Sequence, residues 1–573
     1  MQKKWKVAKK IDKELINKFL EINPIILQLL ANRGITEQER INEFLFPDYR
    51  SLNDPFLFSD MEKAVKVIRK AIKERKRITV FGDYDADGIT SSAVLINCLK
   101  ELGAKCNVYI PDRKKEGYGL NAKAIEILSK KKTDLIITVD CGITNNKEIK
   151  KIKDLGMEVI ITDHHYPSKE KPHCLIINAQ VDHNYPFKEL AGVGVAFKLS
   201  QALLSKISKK NSSKKEAFEK WLLDLVAIGT IADCVSLIGE NRILTKYGLI
   251  VLNKTKREGL KALIKKSSLN LSEINTYDIS FRLSPRINAA GRMNKAIIAY
   301  DLLMSNSFKK SSEITEDLNQ LNLERQKITD LILKKAIKDI GESPKEKILF
   351  SLQKDCPVGI LGLVAGRVVS HYNKPSFILT EQDQKIIGSG RSIPKFNMIK
   401  ALNKMSDLFS HFGGHSQACG LTLKNEDELN NFKDEMLKIA NSELIDKDLR
   451  PVLEIDAKIN LSDINWNFFD DLAKFAPFGQ NNVKPIFLTK NLKILSSREV
   501  GKNGNHLKFS VSDSTYQGGY GWSCIGFGLS ENWRGRLKRG DLVDLVYYIE
   551  ENRWNGSREI QLKIIDLKHS ELK

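Results

Sequence analysis

From Met61 onward the chain alternates two kinds of hydrophobic pattern. Ala64, Val67, Ile68, Ala71 and Ile72 recur at helical spacing, and the apolar, largely β-branched run Ile78–Phe81 follows. Together they predict an amphipathic helix and then a fully buried strand. The alternation continues through strands at Cys106–Ile110, Leu135–Val139 and Val159–Thr162, with helices at Ile89–Leu99, Ala122–Leu128 and Glu148–Leu155 between them. Short apolar strands separated by helices of this length predict an α/β domain built on a doubly wound parallel sheet. Helical sequence dominates Ala191–Thr255, and a long helix is expected from Lys309 to Asp339. A second α/β domain starts near Lys345. From Pro451 short alternating strands take over (VLEID, PIFL, HLKFSV, CIGFG, LVDLVYY, EIQLKII), with a hairpin turn at Asn555-Gly556. That is an all-β module, expected to close as a small barrel. The expected divisions are an N-terminal extension covering the first domain (1–60), the first domain (61–308), a connecting helix (309–344), the second domain (345–448) and the β module (449–573).

A chain of 573 residues with 42% hydrophobic content can bury several cores. Charge narrows the partner: Lys plus Arg exceed Asp plus Glu by 92 − 71 = 21. Such an excess favours a polyanion, nucleic acid first and anionic membrane second, although much of it is lysine spread over helix faces. The eight cysteines are scattered without a CxxC pair, which fits free thiols in a reducing compartment and argues against a zinc knuckle or disulfide frame. No secretory leader and no 18-residue apolar run occurs, so the expectation is a cytoplasmic protein.

Candidate chemistry gathers at the ends of the predicted parallel strands, where ligands of open α/β sheets bind. Strand Ile78–Phe81 runs into GDYDADG, placing Asp83, Asp85 and Asp87 at alternate positions. Three acids this close repel one another unless cations neutralise them. An EF-hand calcium loop also begins D-x-D-x-DG, but the twelfth position counted from Asp83 is Val94 where that loop needs Glu. Strand Leu135–Val139 ends in Asp140, and the next in Asp163, His164 and His165. Asp233 follows the apolar segment DLVAIGTIA, where an unpaired acid would be costly. FRLSPRINAAGRM reads as a compact arginine-rich loop carrying Arg286, Asn288 and Arg292. GSGRS (388–392) and FGGHSQACG (412–420) read as glycine-rich turns exposing Ser389, Arg391 and His415, with backbone N–H groups able to cradle phosphate. In the β module, Trp522, Phe527, Tyr547 and Trp554 with Lys508 and Arg553 offer a base-stacking groove, about half of these aromatics being expected in the core.

In this order, GDYDADG, VDCG, DHH, YPFKELAGVGVAFK, GTIADCV, PRINAAGRM, GSGRS, FGGHSQACG and APFGQ resemble the DHH phosphoesterase superfamily. Within it they are most similar to the bacterial single-strand-specific 5′→3′ DNA exonucleases of recombination and repair, from about Met61 to the C-terminus. The resemblance implies a DHH domain, a connecting helix, a DHH-associated domain and a C-terminal OB fold. It implies Asp83, Asp85, Asp87, Asp140, His164 and Asp233 as ligands of two Mn²⁺ or Mg²⁺ ions, without saying which of the first three holds which ion. Asp163, His165, Arg286 and Asn288 would be catalytic. Arg113, Arg292, Ser389, Arg391, His415, Trp522 and Trp554 would contact phosphate and DNA, with Ser389, Arg391 and Arg113 reading a 5′-phosphate. The chemistry implied is two-metal hydrolysis of a phosphodiester to mononucleotides. Implied partners are single-stranded DNA, a single-strand-binding protein and a RecQ-type helicase, with the chain a monomer. Two departures, NAQVDHNYP around Asn178 and APFGQNNVKP, touch no proposed ligand. The rival readings are a small-substrate DHH phosphodiesterase, disfavoured by the β module and basic charge, and an inactive DHH-type single-strand-binding scaffold, disfavoured because every motif acid is present.

Overall fold

The computed structural model describes residues 3–168, 170–205, 212–382, 384–513, 521–554 and 556–571. Two units emerge: residues 52–235 with 239–451, and residues 1–51 with 236–238 and 452–573.

The larger unit opens with a parallel sheet of five strands in the order β2-β1-β3-β4-β5: β1 (Arg77–Gly82), β2 (Lys105–Tyr109), β3 (Leu135–Val139), β4 (Glu158–Thr162) and β5 (Leu175–Ile177). β1 and β3 are central and buried along their length, which is why they read as unbroken apolar runs. Helices α1 (Ala86–Glu101), α2 (Ala122–Lys130) and α3 (Asn146–Asp154) link the strands. Two further helices, α4 (Gly192–Ser205) and α5 (Leu223–Ala232), pack on α1. All three are buried nearly all round; α4 and α5 are accordingly apolar on most faces, while α1 buries Asp87, Thr90, Ser91 and Ser92 as well.

The arginine-rich segment is not a loop. A π turn over Ile279–Leu283 runs directly into helix α6 (Ser284–Arg292). Pro285 and Gly291, which suggested a turn, have other reasons to be there. Proline is tolerated in a first helical turn. A Cβ at Gly291 would lie 2.3 Å from the Tyr84 carbonyl oxygen. The connecting helix α7 (Phe308–Ile340) buries Ile332 and Ala336 against the second domain.

That domain is a mixed sheet in the order β9-β10-β8-β7-β6, formed by β6 (Leu349–Leu352), β7 (Ser376–Gln382), β8 (Lys385–Arg391), β9 (Phe409–Gly414) and β10 (Ala418–Leu423), with helix α8 (Val358–Tyr372) against it. GSGR therefore lies in strand β8, not on a turn, and FGG and ACG lie in paired strands β9 and β10. Packing selects the glycines here. A Cβ on Gly390 would meet Phe377, Cys419 and Met398 side chains at 2.5–2.7 Å.

In the smaller unit, strands β11 (Phe487–Val500), β12 (His506–Ser512), β13 (Trp522–Gly526), β14 (Leu542–Trp554) and β15 (Ser557–His569) form a sheet that β11–β14 pairing closes into a barrel. Of the N-terminal extension, residues 1–51 belong to this unit and residues 52–60 to the larger one. Lys4–Val7 pairs in parallel with Val452–Ile455, and Phe19, Leu27, Leu30 and Phe44 share one core with Phe475, Leu492, Val543 and Tyr547 of the β module. Asn555 of the expected hairpin turn and the Trp554 side chain lie outside the described residues. No described helix is long and apolar enough to cross a membrane, and all eight cysteines are free thiols.

Candidate metal centre

The strand-end acids converge. Donor atoms lie within 4.8 Å of one another in three overlapping groups: Asp83, Asp85 and Asp140; Asp87, His164 and Asp233; and Asp140, His164 and His165. Asp140 and His164 each belong to two groups, so the donors form one continuous site along the sheet edge.

Local backbone explains the convergence. β1 stops at Gly82, where a Cβ would fall 2.0 Å from Ser92 Oγ, and Asp85 then caps α1 by accepting from the N–H groups of Asp87 and Gly88. Asp87, the second residue of α1, accepts from Gly192 N–H at 2.7 Å and Val193 N–H at 2.9 Å, so the start of α4 holds both its oxygens. Asp140 leaves β3 in the left-handed region at φ 61°, and its carboxylate packs on Gly192, where a Cβ would come within 2.7 Å. Asp233 closes the end of α5.

The electrostatics call for a cation. Burial, then Asp85, pushes Asp83 well above the usual carboxylate range; burial, then Asp87 and Asp85, does the same to Asp140. Burial and the charge of Asp233 raise Asp87 to about 7, and burial with Asp85 raises Asp233 to about 8. His164 Nε2 lies 3.1 Å from Asp140 Oδ1 and 3.6 Å from Asp233 Oδ2, yet neither Nε2, Asp140 Oδ1 nor Asp83 Oδ1 makes a hydrogen bond, although all three are buried. Donor atoms that crowd without bonding one another are placed to share a cation, since orphaned buried polar atoms are otherwise costly. Carboxylates with one or two imidazoles suit Mn²⁺ or Mg²⁺.

The other expected site residues separate into distinct roles. Asp163 is not part of any donor group. Its carboxylate accepts from the backbone N–H groups of Ile143, His164 and His165 and meets His165 Nδ1 at 2.8 Å. Burial works against that charge, but the bonds from His165 and Ile143 keep Asp163 below the usual range. Burial also opposes the charge on His165, and Asp163 overrides it, raising His165 to about 9. Asn288 Oδ1 accepts from Ala86 N–H and pins the Asp85–Asp87 loop. Arg286 turns to the connecting helix, donating to Asn319 Oδ1 and the Arg282 carbonyl.

Arg292 donates to the Gly359 carbonyl; burial and the guanidinium groups of Arg113, Arg325 and Arg391 lower its pKa to about 10. Arg113 stacks over Tyr84 at 5.0 Å, and Arg391 donates to Ser389 Oγ at 3.2 Å. His415 is exposed between β9 and β10. In the β module Tyr547 is core, Trp522 packs half-buried against that core, and Phe527 is 56% exposed beneath Lys563. Three contributors escaped the sequence reading. Tyr118 Oη donates to the Asp140 carbonyl and lies 3.1 Å from His165 Nδ1; buried Asn178 donates to the His165 carbonyl; Arg325 joins the arginine cluster. None carries a local signal, because each reaches the site across the fold.

Family models match three stretches: the DHH family, N-terminal domain over residues 77–230, the DHHA1 domain over 345–442 and the RecJ OB domain over 455–566. The single-stranded-DNA-specific exonuclease RecJ of Bacillus subtilis (strain 168) is 38% identical over 557 residues, covering 96% of this chain and 69% of that protein. The Escherichia coli (strain K12) RecJ is 32% identical, covering 95% of this chain and 96% of its own length. Among solved structures, RecJ from Thermus thermophilus in complex with Mn²⁺ superposes with a TM-score of 0.83 at 28% identity, over 99% of this chain and 80% of that one. An exonuclease RecJ bound to manganese matches at 32% identity and TM-score 0.58, over 68% of this chain and 96% of its own.

Proposed function

This chain belongs to the RecJ family, and from that premise we propose that it is a metal-dependent, single-stranded-DNA-specific exonuclease releasing mononucleotides 5′→3′ in recombination and repair. The observation that carries the reading is the run of donor groups sharing Asp140 and His164, with buried atoms left unbonded. Asp83, Asp85 and Asp140 would hold one divalent ion, and Asp87, His164 and Asp233 the other. Bound there, two such ions activate water and neutralise the leaving oxygen of a phosphodiester.

The chain's own residues do the rest. Asp163 fixes the His165 ring and keeps it protonated, ready to donate to a phosphate oxygen. Asn288 and the Gly192 and Val193 amides hold Asp85 and Asp87 in place before substrate arrives. Arg113, Ser389 and Arg391 form the terminus reader: a 5′-phosphate carries more charge than an internal diester and would gain more from two guanidinium groups. His415, Trp522 and Trp554 remain candidate DNA contacts, and single-strand-binding protein and a RecQ-type helicase remain candidate partners.

Purified protein with Mn²⁺, offered end-labelled single-stranded and duplex DNA, tests the reading. Single strands should be shortened from the 5′ end and duplex spared; release from the 3′ end, or equal cutting of duplex, refutes it. Arg391→Ala should lose most of the preference for a 5′-phosphate over a 5′-hydroxyl while still binding Mn²⁺.

A further inference from the structure

Beside the metal centre lies a cavity of about 140 Å³ that no step above uses. One wall is a polar stripe at four-residue spacing, Ser280, Ser284, Asn288 and Arg292, running along the π turn and α6. Arg325 of the connecting helix and Leu363 of α8 face it, and Ala232 and Cys234, on either side of Asp233, close it toward the metal centre. Two of its donors are stranded. Ser284 is 3% exposed and its hydroxyl has no partner; Arg325 Nε is buried and bonds nothing, its guanidinium reaching Asn322 by Nη2 alone. Charge compounds this. Arg292 and Arg325 share the cavity with Arg113 and Arg391 near; against these four stand Asp85, acting on Arg292, and Asp330, acting on Arg325 and itself paired with Arg367. Among the described residues no aromatic side chain lines it, so these offer nothing for a base to stack on. Its volume, roughly that of four or five waters, suits a phosphate.

We infer that this cavity is a second phosphate subsite, in which Arg325, Arg292 and Ser284 hold the strand's phosphodiester next to the scissile one. The inference rests on the exonuclease reading and adds to it a positioning contact from the connecting helix. Arg325 acts on the neighbouring phosphate, not on the reacting atoms, so its loss is expected in KM more than in kcat.

The full chain with Mn²⁺ should be assayed as wild type, Arg325→Gln, Arg325→Lys and Ser284→Ala. On a 20-nucleotide single strand, Arg325→Gln should raise KM about ten- to hundredfold, with kcat within about twofold. It should also flatten the salt dependence of binding by about 0.7 in log–log slope. Arg325→Lys should keep that slope, and Ser284→Ala should raise KM a few-fold. On a 5′-phosphorylated dinucleotide, whose single internal diester is the scissile one, all four proteins should match. Unchanged KM and slope in Arg325→Gln, or an equal loss on the dinucleotide, overturns the subsite. If Arg325→Gln fails to fold by circular dichroism, the lysine and Ser284→Ala variants decide: wild-type KM in both overturns it. A wild type that cuts no DNA instead refutes the exonuclease reading. Oligonucleotide anisotropy in EDTA then judges the subsite alone, by whether Arg325→Gln loses the slope.

Discussion

Replacing Asp233 by Asn should make the metal-free protein more stable at pH 8 while removing its activity. Asp87 titrates near 7 and Asp233 near 8, against 3.8 for an ordinary aspartate. Both are acids whose folded pKa is raised, so their favourable, protonated state is fully present below pH 3.8 and is lost as pH rises through about 7–8. Each raised pKa unit is 1.36 kcal/mol, so ionising Asp87 alone costs the fold about 4 kcal/mol. The penalties overlap because the two acids repel each other, and about 4 kcal/mol is the scale for the pair. For a unit of this size that is on the order of several degrees in Tm. The raised His165 acts in the same sense, and the lowered His164 in the opposite one; comparing variant with wild type removes most of both contributions. The assay is thermal unfolding in EDTA from pH 5.5 to 8.5, repeated with saturating Mn²⁺. Wild-type Tm should fall with pH in EDTA and recover with Mn²⁺. Asp233→Asn should fall less and gain less from the ion. A wild-type Tm that is flat across this range, with Asp233→Asn no more stable at pH 8, would refute the argument that these carboxylates are held together against their own repulsion.

Further outcomes follow from the same geometry. Asp140→Ala or His164→Ala should cut turnover by several orders of magnitude with circular dichroism near wild type; EDTA should abolish wild-type activity and Mn²⁺ restore it. Gly192→Ala, whose Cβ would sit 2.7 Å from Asp140 Cβ, should weaken Mn²⁺ binding at least tenfold in a titration; wild-type affinity would show that Asp140 has room to move. Ser496, Ser510 and Ser523 with Arg498 and Lys508 line a groove of about 390 Å³ on the barrel, so Arg498→Glu with Lys508→Glu should weaken long single strands in a filter-binding assay and leave dinucleotide cleavage unchanged.

What could be read from the chain alone depended on how far each feature reaches. The acids were legible because parallel strands announce themselves as apolar runs and their C-terminal ends share one edge by topology. The segment containing Arg286 and Arg292 misled because Pro285 and Gly291 punctuate turns as readily as they fit a first helical turn and a close backbone approach. GSGRS misled for a related reason: its alternating glycines serve neighbouring side chains across a strand, and that crowding exists only once the sheet is formed. Asp163 and His165 stand two positions apart in sequence, but the hydrogen bonds that separate a positioning acid from an imidazolium come from Ile143 and the strand end. Arg325 is the single arginine of a helix otherwise charged by lysines and acids, and what it faces is set by α6 and α8, which lie far from it in sequence.

The pairing of Lys4–Val7 with Val452–Ile455 has a consequence for how the protein is made. The smaller unit is split around residues 52–451, which contribute 451 − 51 = 400 residues of chain between its halves. At roughly 5–20 residues per second, translation of that interval lasts on the order of 20–80 s. Throughout it the apolar face carrying Leu27, Leu30 and Phe44 is already outside the ribosome without the strands that bury it. Until the β module is made, a newly synthesised chain therefore carries an apolar N-terminal face with nothing of its own unit to cover it, and a chain that ends within that interval never gains the strands that would.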